Sequence, residues 1–284
     1  MARRACFPSN LTGMYRMHAK LLITYVLLVA ALSGLACTPA VLAEPASAAS
    51  SLEITHTEVQ YALIKGRLVD GYLSQPAKKQ KGAPGLILIH MWWGLNQHMR
   101  DLADQLAQQG YVVLAVDLFN GHTTRNPTEA AHLADIADAN PITTLSNLEQ
   151  AVSYMTAKQD VNNLGVIGWS FGGRWAFRIA SDLPQDFNAL AVFYAAPYTE
   201  PSQLASLRMP ILAFFGGRDP FVPAEVVSKF QWAAGLASAT LAIHIYPDAS
   251  AAFDDPDSTA YNHRDAEDAW RQLDAFLASN LKQN

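Results

Sequence analysis

The sequence predicts an α/β fold whose central, mostly parallel sheet carries helices on both faces. Segments with strand-like and helix-like composition alternate from residue 85 to the C-terminus, which is the pattern of such sheets. Residues 85–90 form an almost continuous apolar run, as a strand covered on both faces requires. Half of the 284 residues are hydrophobic, so the chain can bury the core of one such domain.

An antiparallel strand pair is expected first, between Glu53 and Pro76, where apolar and polar residues alternate and Gly66 and Gly71 suit turns or bulges. Further strands are predicted at 85–90, 111–116, 164–167, 190–194, 211–215 and 241–246. Helices are predicted at 97–109, around 131–136, around 145–155, at 174–181, at 223–234 and at 265–278. The pattern contains no internal repeat and no second domain.

The first 43 residues have the composition of a secretory signal peptide. They contain four basic residues, no acidic residue and an uncharged apolar core at 21–36, and a small-residue cleavage site follows. We therefore expect a signal peptide at 1–43, a linker at 44–52 and one domain at 53–284. A start at Met14 or Met17, and lipidation at Cys37, remain open. The protein is expected in the periplasm or outside the cell, touching a membrane only if this leader is uncleaved or lipidated.

Charge and cysteine content exclude several classes of function. Both cysteines, Cys6 and Cys37, lie in the leader, so a chain cut after Ala43 has no thiol for a disulfide, a nucleophile or a metal site. Such a chain keeps 16 basic and 25 acidic residues, a net charge of about −9 that argues against nucleic acid and anionic membranes as partners. We expect a monomer that takes a small molecule and needs no cofactor or metal.

The stretch Gly168-Trp-Ser-Phe-Gly-Gly173 predicts a nucleophile. It joins an apolar strand to a helix-like segment, and its glycines allow the two backbones to approach closely around Ser170. The hydroxyl would then stand at the edge of the sheet, where a helix N-terminus favours an oxyanion. The competing interpretation is a glycine-rich turn without chemistry.

Two further strand ends could serve Ser170. Asp219 follows the strand at 211–215, in a turn where a carboxylate can orient an imidazole, although it could instead cap the next helix or pair with Arg218. The backbone amides of Trp92 and Phe171 are expected to bind the oxyanion. The base should follow the last strand, but residues 247–253 contain no histidine.

These motifs resemble the dienelactone hydrolase family over nearly the whole predicted domain. The matching segments are Ile89-His-Met-Trp-Trp-Gly-Leu-Asn96, Asp117-Leu-Phe119, Gly168-Trp-Ser-Phe-Gly-Gly173, Gly216-Gly-Arg-Asp219 and Tyr246-Pro-Asp-Ala-Ser-Ala-Ala-Phe253. The resemblance implies an α/β-hydrolase fold and hydrolysis of esters or lactones by a Cys or Ser with an Asp and a His. By position the nucleophile is Ser170, the acid is Asp219, and the family's histidine falls on Ala251.

Other departures from the family bear on the substrate. The family's glutamate in the first loop is Met91 here. The places where dienelactone hydrolases hold a substrate carboxylate with arginines read Asn120-Gly121 and Asp254-Asp255. A carboxylated lactone is therefore not expected. The aromatic residues Trp92, Trp93, Trp169 and Phe171 favour an apolar, neutral ester or lactone, although each is more often a core residue than a pocket wall.

Ala251 leaves three explanations open. The sequence could be an inactivated His-to-Ala variant of an active esterase, the protein could be a catalytically silent binding protein, or another histidine could supply the base. His263 is the preferred replacement, since it is expected in the loop before the last helix. His244 is expected within a strand and His90 beside the oxyanion loop. The histidines expected on the surface are His98, His122 and His132.

The predicted function is hydrolysis of carboxylic esters or lactones through a Ser170 acyl-enzyme. A serine hydroxyl is a weak nucleophile near neutral pH without a base beside it. Because Ala251 stands at the family's histidine position, the activity of the sequence as it stands is expected to be weak or absent.

Overall fold

The computed structural model describes residues 51–282, and an eight-stranded sheet forms the centre of this part. Its strands are β1 (Ile54–Ile64), β2 (Arg67–Pro76), β3 (Gly85–Ile89), β4 (Val112–Val116), β5 (Leu164–Trp169), β6 (Ala189–Phe193), β7 (Ile211–Gly216) and β8 (Leu241–Tyr246). Their spatial order is β1-β2-β4-β3-β5-β6-β7-β8. The β1–β2 and β2–β4 pairs are antiparallel and the others are parallel. The predicted signal peptide and the linker up to residue 50 lie outside the described residues.

Helices within residues 51–282 cover both faces of the sheet. They are α1 (Gln97–Gln108), α2 (Pro127–Ala139), α3 (Pro141–Ala157), α4 (Phe171–Asp182), α5 (Pro201–Leu204), α6 (Ala224–Ala237) and α7 (His263–Leu281). One apolar core lies under α1 and α7 around Met99 and Leu273, and a second lies under α3, α4 and α6 around Phe177 and Phe230. This arrangement confirms the predicted α/β class. None of these helices is both long and apolar enough to cross a membrane.

The strand pair predicted between Glu53 and Pro76 is confirmed, including the use of both glycines. Gly66 lies in the tight turn between β1 and β2 with a φ of 79°, a conformation that glycine adopts at little cost. Gly71 of β2 pairs with Val59, two residues from a β-bulge at Tyr61. A Cβ at Gly71 would come within 2.8 Å of the Tyr61 ring, so the bulge depends on this glycine.

Two helices begin earlier than predicted. α4 begins at Phe171, three residues early, because the chain passes from strand to helix at the single residue Ser170. α7 begins at His263, two residues early, because the side chain of Asn262 caps it by accepting the N–H of Asp265. The prediction that His263 lies in a loop is therefore wrong.

The helix predicted around 131–136 buries a stripe of alanines. Its buried residues are Ala130, Ala134 and Ala137, whereas Ile136 is 49% exposed. Small side chains on the buried face bring α2 close to its neighbours. Two of them, Ala134 and Ala137, join the core that also contains the buried residues of α3 and α4.

Candidate active site

Ser170 occupies a strained turn between β5 and α4. Its φ is 50° and its ψ is −111°, a region that costs a non-glycine residue about 1–3 kcal/mol. The backbone N–H of Ser170 donates to the Phe193 carbonyl at 2.9 Å, which ties the turn to β6. The side chain of Ser170 makes no capping hydrogen bond to α4, so its hydroxyl is not consumed by the helix.

Glycines make this turn possible. A Cβ at Gly168 would overlap the carbonyl of Gly172, and a Cβ at Gly172 would overlap the carbonyl oxygens of Ile89 and His90. The turn is therefore packed backbone against backbone between β5, α4 and the end of β3. The predicted strand-turn-helix arrangement of the stretch 168–173 is present in the structure.

The end of β3 is fixed by a buried histidine. His90 Nδ1 lies 2.6 Å from the Met91 carbonyl, and Nε2 accepts the N–H of Leu118 at 3.1 Å. These partners place the proton on Nδ1, and burial lowers the pKa of His90, so the ring stays neutral. Its ring lies 4.7 Å from that of Phe119 and 6.0 Å from that of Phe171. His90 thus holds the loop expected to supply an oxyanion donor.

The carboxylate of Asp219 is held by backbone groups and lacks an imidazole partner. Oδ1 accepts the N–H groups of Phe221 at 2.7 Å and Val222 at 3.2 Å. Oδ2 is buried and has no hydrogen-bond partner within residues 51–282. Burial raises the pKa of Asp219, and the two N–H bonds oppose that shift. Arg218 pairs with Asp248 instead, so the alternative Asp219–Arg218 pair is absent.

The Asp219 turn is joined to the loop that contains Ala251. The N–H of Gly217 donates to the Tyr246 carbonyl at 2.7 Å, and the N–H of Arg218 donates to the Ala249 carbonyl at 2.9 Å. A Cβ at Gly216 would approach the carbonyl oxygens of Ala249 and Ser250 within 3.0 Å. The acid and the position of the family's histidine therefore lie on neighbouring loops.

A cavity of about 790 Å³ opens beside Ser170, a size typical of small-molecule sites. It brings together four predicted site residues, which are Ser170, Phe171, Trp92 and Ala251. Asp219 does not line it, but its hydrogen-bonded neighbour Val222 does. Trp93 lines the cavity as well, whereas Trp169 is fully buried in the core.

His263 lies away from this cavity. Its side chain is 70% exposed, and Nδ1 lies 3.5 Å from a carboxylate oxygen of Glu267, one turn further along α7. It does not belong to the cavity lining. The ordinary reading of a histidine on the surface of a helix therefore fits His263, and the geometry gives it no access to Ser170.

His98 lies in the wall of the cavity, so the prediction of a surface position is wrong. It was expected on the surface, but its side chain is only 13% exposed and lines the same cavity as Ser170. Its Nδ1 lies 4.0 Å from Asp255 Oδ1, and its Nε2 is buried without a partner in the described chain. His122 and His132, which are also expected on the surface, are exposed. His244 lies in β8 against the ring of Phe214.

Two buried carboxylates follow Phe253. Asp254 accepts the indole N–H of Trp169 at 3.0 Å and the hydroxyl of Tyr194 at 2.8 Å. Burial raises the pKa of Asp254 against these bonds, and it raises the pKa of Tyr194 as well. Asp255 is buried and lines the cavity. The sequence feature that could have indicated these buried carboxylates is the pair of adjacent acidic residues directly after Phe253.

No group of three His, Cys, Asp or Glu side chains within residues 51–282 is arranged to hold a metal ion.

Comparisons with known proteins relate this chain to one family. The sequence model of the dienelactone hydrolase family matches residues 69–281. A protein of Escherichia coli strain K12, provisionally named a carboxymethylenebutenolidase, is 28% identical over 225 residues, covering 74% of this chain and 82% of that protein. Protein usf of Aquifex pyrophilus is 27% identical over 226 residues, covering 76% of this chain and 95% of that protein.

Solved structures show the same fold. The crystal structure of a dienelactone hydrolase from Anabaena variabilis superimposes with a TM-score of 0.60 at 20% identity, covering 80% of this chain and 99% of that chain. A dienelactone hydrolase-like promiscuous phosphotriesterase from metagenomic libraries superimposes with a TM-score of 0.73 at 18% identity and the same coverage. Both structures share the fold with this chain at identities too low to carry an activity.

Proposed function

The chain belongs to the dienelactone hydrolase family, and from that premise we propose that it hydrolyses carboxylic esters or lactones through a Ser170 acyl-enzyme. The observation that carries the proposal is the position of Ser170. Its hydroxyl is free of capping bonds, at the N-terminus of α4, beside a cavity that admits a small molecule. A strained residue at such a place is typical of a nucleophile held in its reactive position.

The proposed reaction uses the groups around the cavity. Ser170 Oγ attacks the carbonyl carbon of the substrate and gives up its proton to solvent water. The carbonyl oxygen becomes an oxyanion, which accepts hydrogen bonds from the backbone N–H groups of Phe171 and Trp92. The C–O bond to the alcohol then breaks and the alcohol oxygen takes a proton from solvent water. In a lactone this alcohol stays attached to the acyl group. Water then hydrolyses the acyl-enzyme and regenerates Ser170.

The cavity supports a neutral substrate. Aromatic side chains of Trp92, Trp93 and Phe221 line it. Its two arginines are both neutralised, Arg125 by Asp257 and Arg174 by Asp138, whereas the buried carboxylate of Asp255 has no such cation. The name of the Escherichia coli relative indicates a carboxylated lactone for that protein. A second carboxylate beside Asp255 would be repelled, so we propose uncharged esters or lactones for this chain.

The proposed activity is weak because the usual base is missing. Ala251 cannot accept a proton, and Asp219 Oδ2 has no imidazole to orient. A positioned base contributes about 10²- to 10⁴-fold to the rate, so its absence leaves slow turnover. The second candidate function is a catalytically silent binding protein that uses the same cavity, and these two observations at Ala251 and Asp219 favour it. An inactivated variant of an active esterase would show the same features.

The leader supports a further part of the proposal, that the chain is exported. Its basic start, apolar core and small-residue cleavage site are typical of secretory signals.

Hydrolysis of p-nitrophenyl acetate by the purified protein tests the proposed function. We expect slow turnover that disappears in Ser170→Ala, together with labelling of the unmodified protein by a fluorophosphonate probe. Labelling reports the reactivity of the serine even where turnover is too slow to measure. A folded protein with neither labelling nor Ser170-dependent turnover would contradict the esterase and favour the binding protein.

A further inference from the structure

The cavity carries at its mouth a large aromatic side chain that the proposed reaction does not use. Phe221 lines the cavity together with Ser170, yet it is 76% exposed. We infer that Phe221 is a specificity-determining residue that covers a bulky apolar group of the substrate. The inference rests on the proposed function, because it names the class of ester that the same cavity takes.

The lining of the cavity runs from a buried wall to an exposed mouth. Phe171, Tyr194 and Val222 belong to the lining and are buried, so the inner wall beside Ser170 is largely apolar. Phe221 precedes Val222 in the chain and faces solvent. It therefore lies where the cavity opens, and a ligand that extends outward from Ser170 along this wall reaches its ring.

The backbone of Phe221 is held in place, but its ring has no part in the packing of the fold. Its N–H donates to Asp219 Oδ1 at 2.7 Å, and the N–H of Val222 donates to the same oxygen at 3.2 Å. Phe221 belongs to neither apolar core of the described chain. Rotation about its side-chain torsions can therefore bring the ring over a ligand without movement of the backbone.

The cavity has room for a substrate much larger than an acetate ester. Its volume of about 790 Å³ lies in the upper part of the range of about 300–1,000 Å³ for small-molecule sites. Five alanines contribute small side chains to the lining, which are Ala134, Ala196, Ala251, Ala252 and Ala260. A short acyl group would leave much of this volume to water, whereas a bulky apolar group would displace that water and gain the free energy of burial.

The charged side chains of the lining do not compete for the far end of the substrate. Both arginines, Arg125 and Arg174, are paired with carboxylates of neighbouring elements. The exposed ring of Phe221 has no such partner. Apolar contact with Phe221 is therefore the interaction that the mouth offers to a bound ester.

Binding of unreactive ketones tests the inference without turnover. Methyl octyl ketone and methyl ethyl ketone carry a carbonyl group with a long or a short chain, and neither can be hydrolysed. Their Kd is measured by tryptophan fluorescence, since Trp92 and Trp93 line the cavity, in a Ser170→Ala background that cannot form an adduct. We expect Phe221→Ala to raise Kd about tenfold for the octyl ketone and at most about twofold for the ethyl ketone.

Two further variants control this measurement. Phe221→Leu keeps a large apolar side chain and should retain most of the affinity for the octyl ketone. Trp232→Ala removes an exposed aromatic residue outside the cavity lining and should leave both Kd values unchanged. Thermal unfolding of each variant checks that a loss of affinity is not a loss of fold.

The same residue should sort substrates in the chain with Ser170 intact. For p-nitrophenyl octanoate we expect Phe221→Ala to raise KM about tenfold with little change in kcat, because the ring contacts the substrate and its transition state equally. For p-nitrophenyl acetate, whose acyl group is too short to reach the mouth, KM should rise at most about twofold.

Three results would overturn the role of Phe221. They are an octyl ketone that binds no more tightly than the ethyl ketone, a Kd of the octyl ketone that Phe221→Ala leaves unchanged, and an equal rise of Kd for both ketones. The proposed function fails separately, if the octyl ketone binds through Phe221 while Ser170 is not labelled by the fluorophosphonate probe and p-nitrophenyl octanoate is not hydrolysed.

Discussion

Two walls of the cavity carry a buried carboxylate nearby, but only one of them carries an imidazole. Behind the Ala251 wall, Asp219 is held by two backbone N–H groups and keeps one oxygen unpartnered. Elsewhere in the cavity lining, Asp255 faces the ring of His98. The difference teaches that the geometry of the acid does not depend on the base, because backbone bonds alone hold Asp219 in place.

The largest effect that would sharpen this comparison is a gain of activity in Ala251→His. The new imidazole would lie next to the turn that holds Asp219 Oδ2, and a positioned base contributes about 10²- to 10⁴-fold. We expect kcat/KM for p-nitrophenyl acetate to rise by that factor. Ala252→His, one residue further along the same loop, is the control and should give no comparable gain. Equal activity in Ala251→His and the unmodified chain would show that this wall is not built for a base.

The next largest effect is the loss of activity on Asp219→Asn, compared between Ala251→His and the unmodified chain. In Ala251→His, Asp219→Asn should lower kcat about 10²-fold or more, because the amide cannot stabilise an imidazolium. In the unmodified chain the same substitution should cost much less, since no imidazole lies beside it. Steady-state kinetics of the four proteins measure the difference. An equal loss in both would mean that Asp219 acts by holding the turn and not by orienting a base.

A substitution at Gly172, in the turn that contains Ser170, should lower the free energy of unfolding. Gly172→Ala places a methyl group against the carbonyl oxygens of Ile89 and His90, and such overpacking costs about 1–3 kcal/mol or more. Gly235→Ala is the matched control, since nothing lies within 4 Å of its added Cβ on the exposed side of α6. That control should stabilise the protein by about 0.5–1 kcal/mol. Urea unfolding measures the free energy of unfolding of both variants. Similar changes in the two would contradict the close approach at Gly172.

The smallest effect is a pH dependence of stability. Burial raises the pKa of Asp219 above its usual value of 3.8. A carboxyl group with a raised pKa in the folded state favours folding below its unfolded pKa, and this contribution is lost as pH rises through the raised value. The free energy of unfolding of the unmodified chain should therefore fall relative to Asp219→Asn as pH rises above about 4. A difference that stays constant with pH, as expected for the exposed Asp248→Asn, would contradict the shift.

The fold and half of the candidate site follow from local patterns in the sequence. The stretch 168–173 predicts the turn at Ser170 because its glycines, which lie within a few residues of one another, allow the backbones of β5 and α4 to approach closely. Asp219 and Trp92 lie at strand ends, and the ends of parallel strands meet at one edge of the sheet. These positions depend on strands that run parallel, which the alternation of strand-like and helix-like segments predicts.

The positions of the histidines are not predicted by such local patterns. His98 reads as a surface residue because it is a polar residue between Gln97 and the apolar stripe that begins at Met99. In the structure its ring lies 4.0 Å from Asp255, which is distant in sequence. The helix start at His263, in contrast, has a local signal, because Asn262 caps the helix by accepting the N–H of Asp265, three residues later. Contacts between distant loops decide which histidine reaches the cavity, and the sequence pattern carries no record of them.

The most direct test of the central claim is the mass of the protein after brief incubation with p-nitrophenyl acetate. The good leaving group makes acylation faster than the attack of water, so the acyl-enzyme should accumulate. We predict the addition of one acetyl group, found by peptide analysis on Ser170 and absent in Ser170→Ala. An acetyl group on another residue, or none on a folded protein that releases p-nitrophenol, would contradict the claim that Ser170 is the nucleophile.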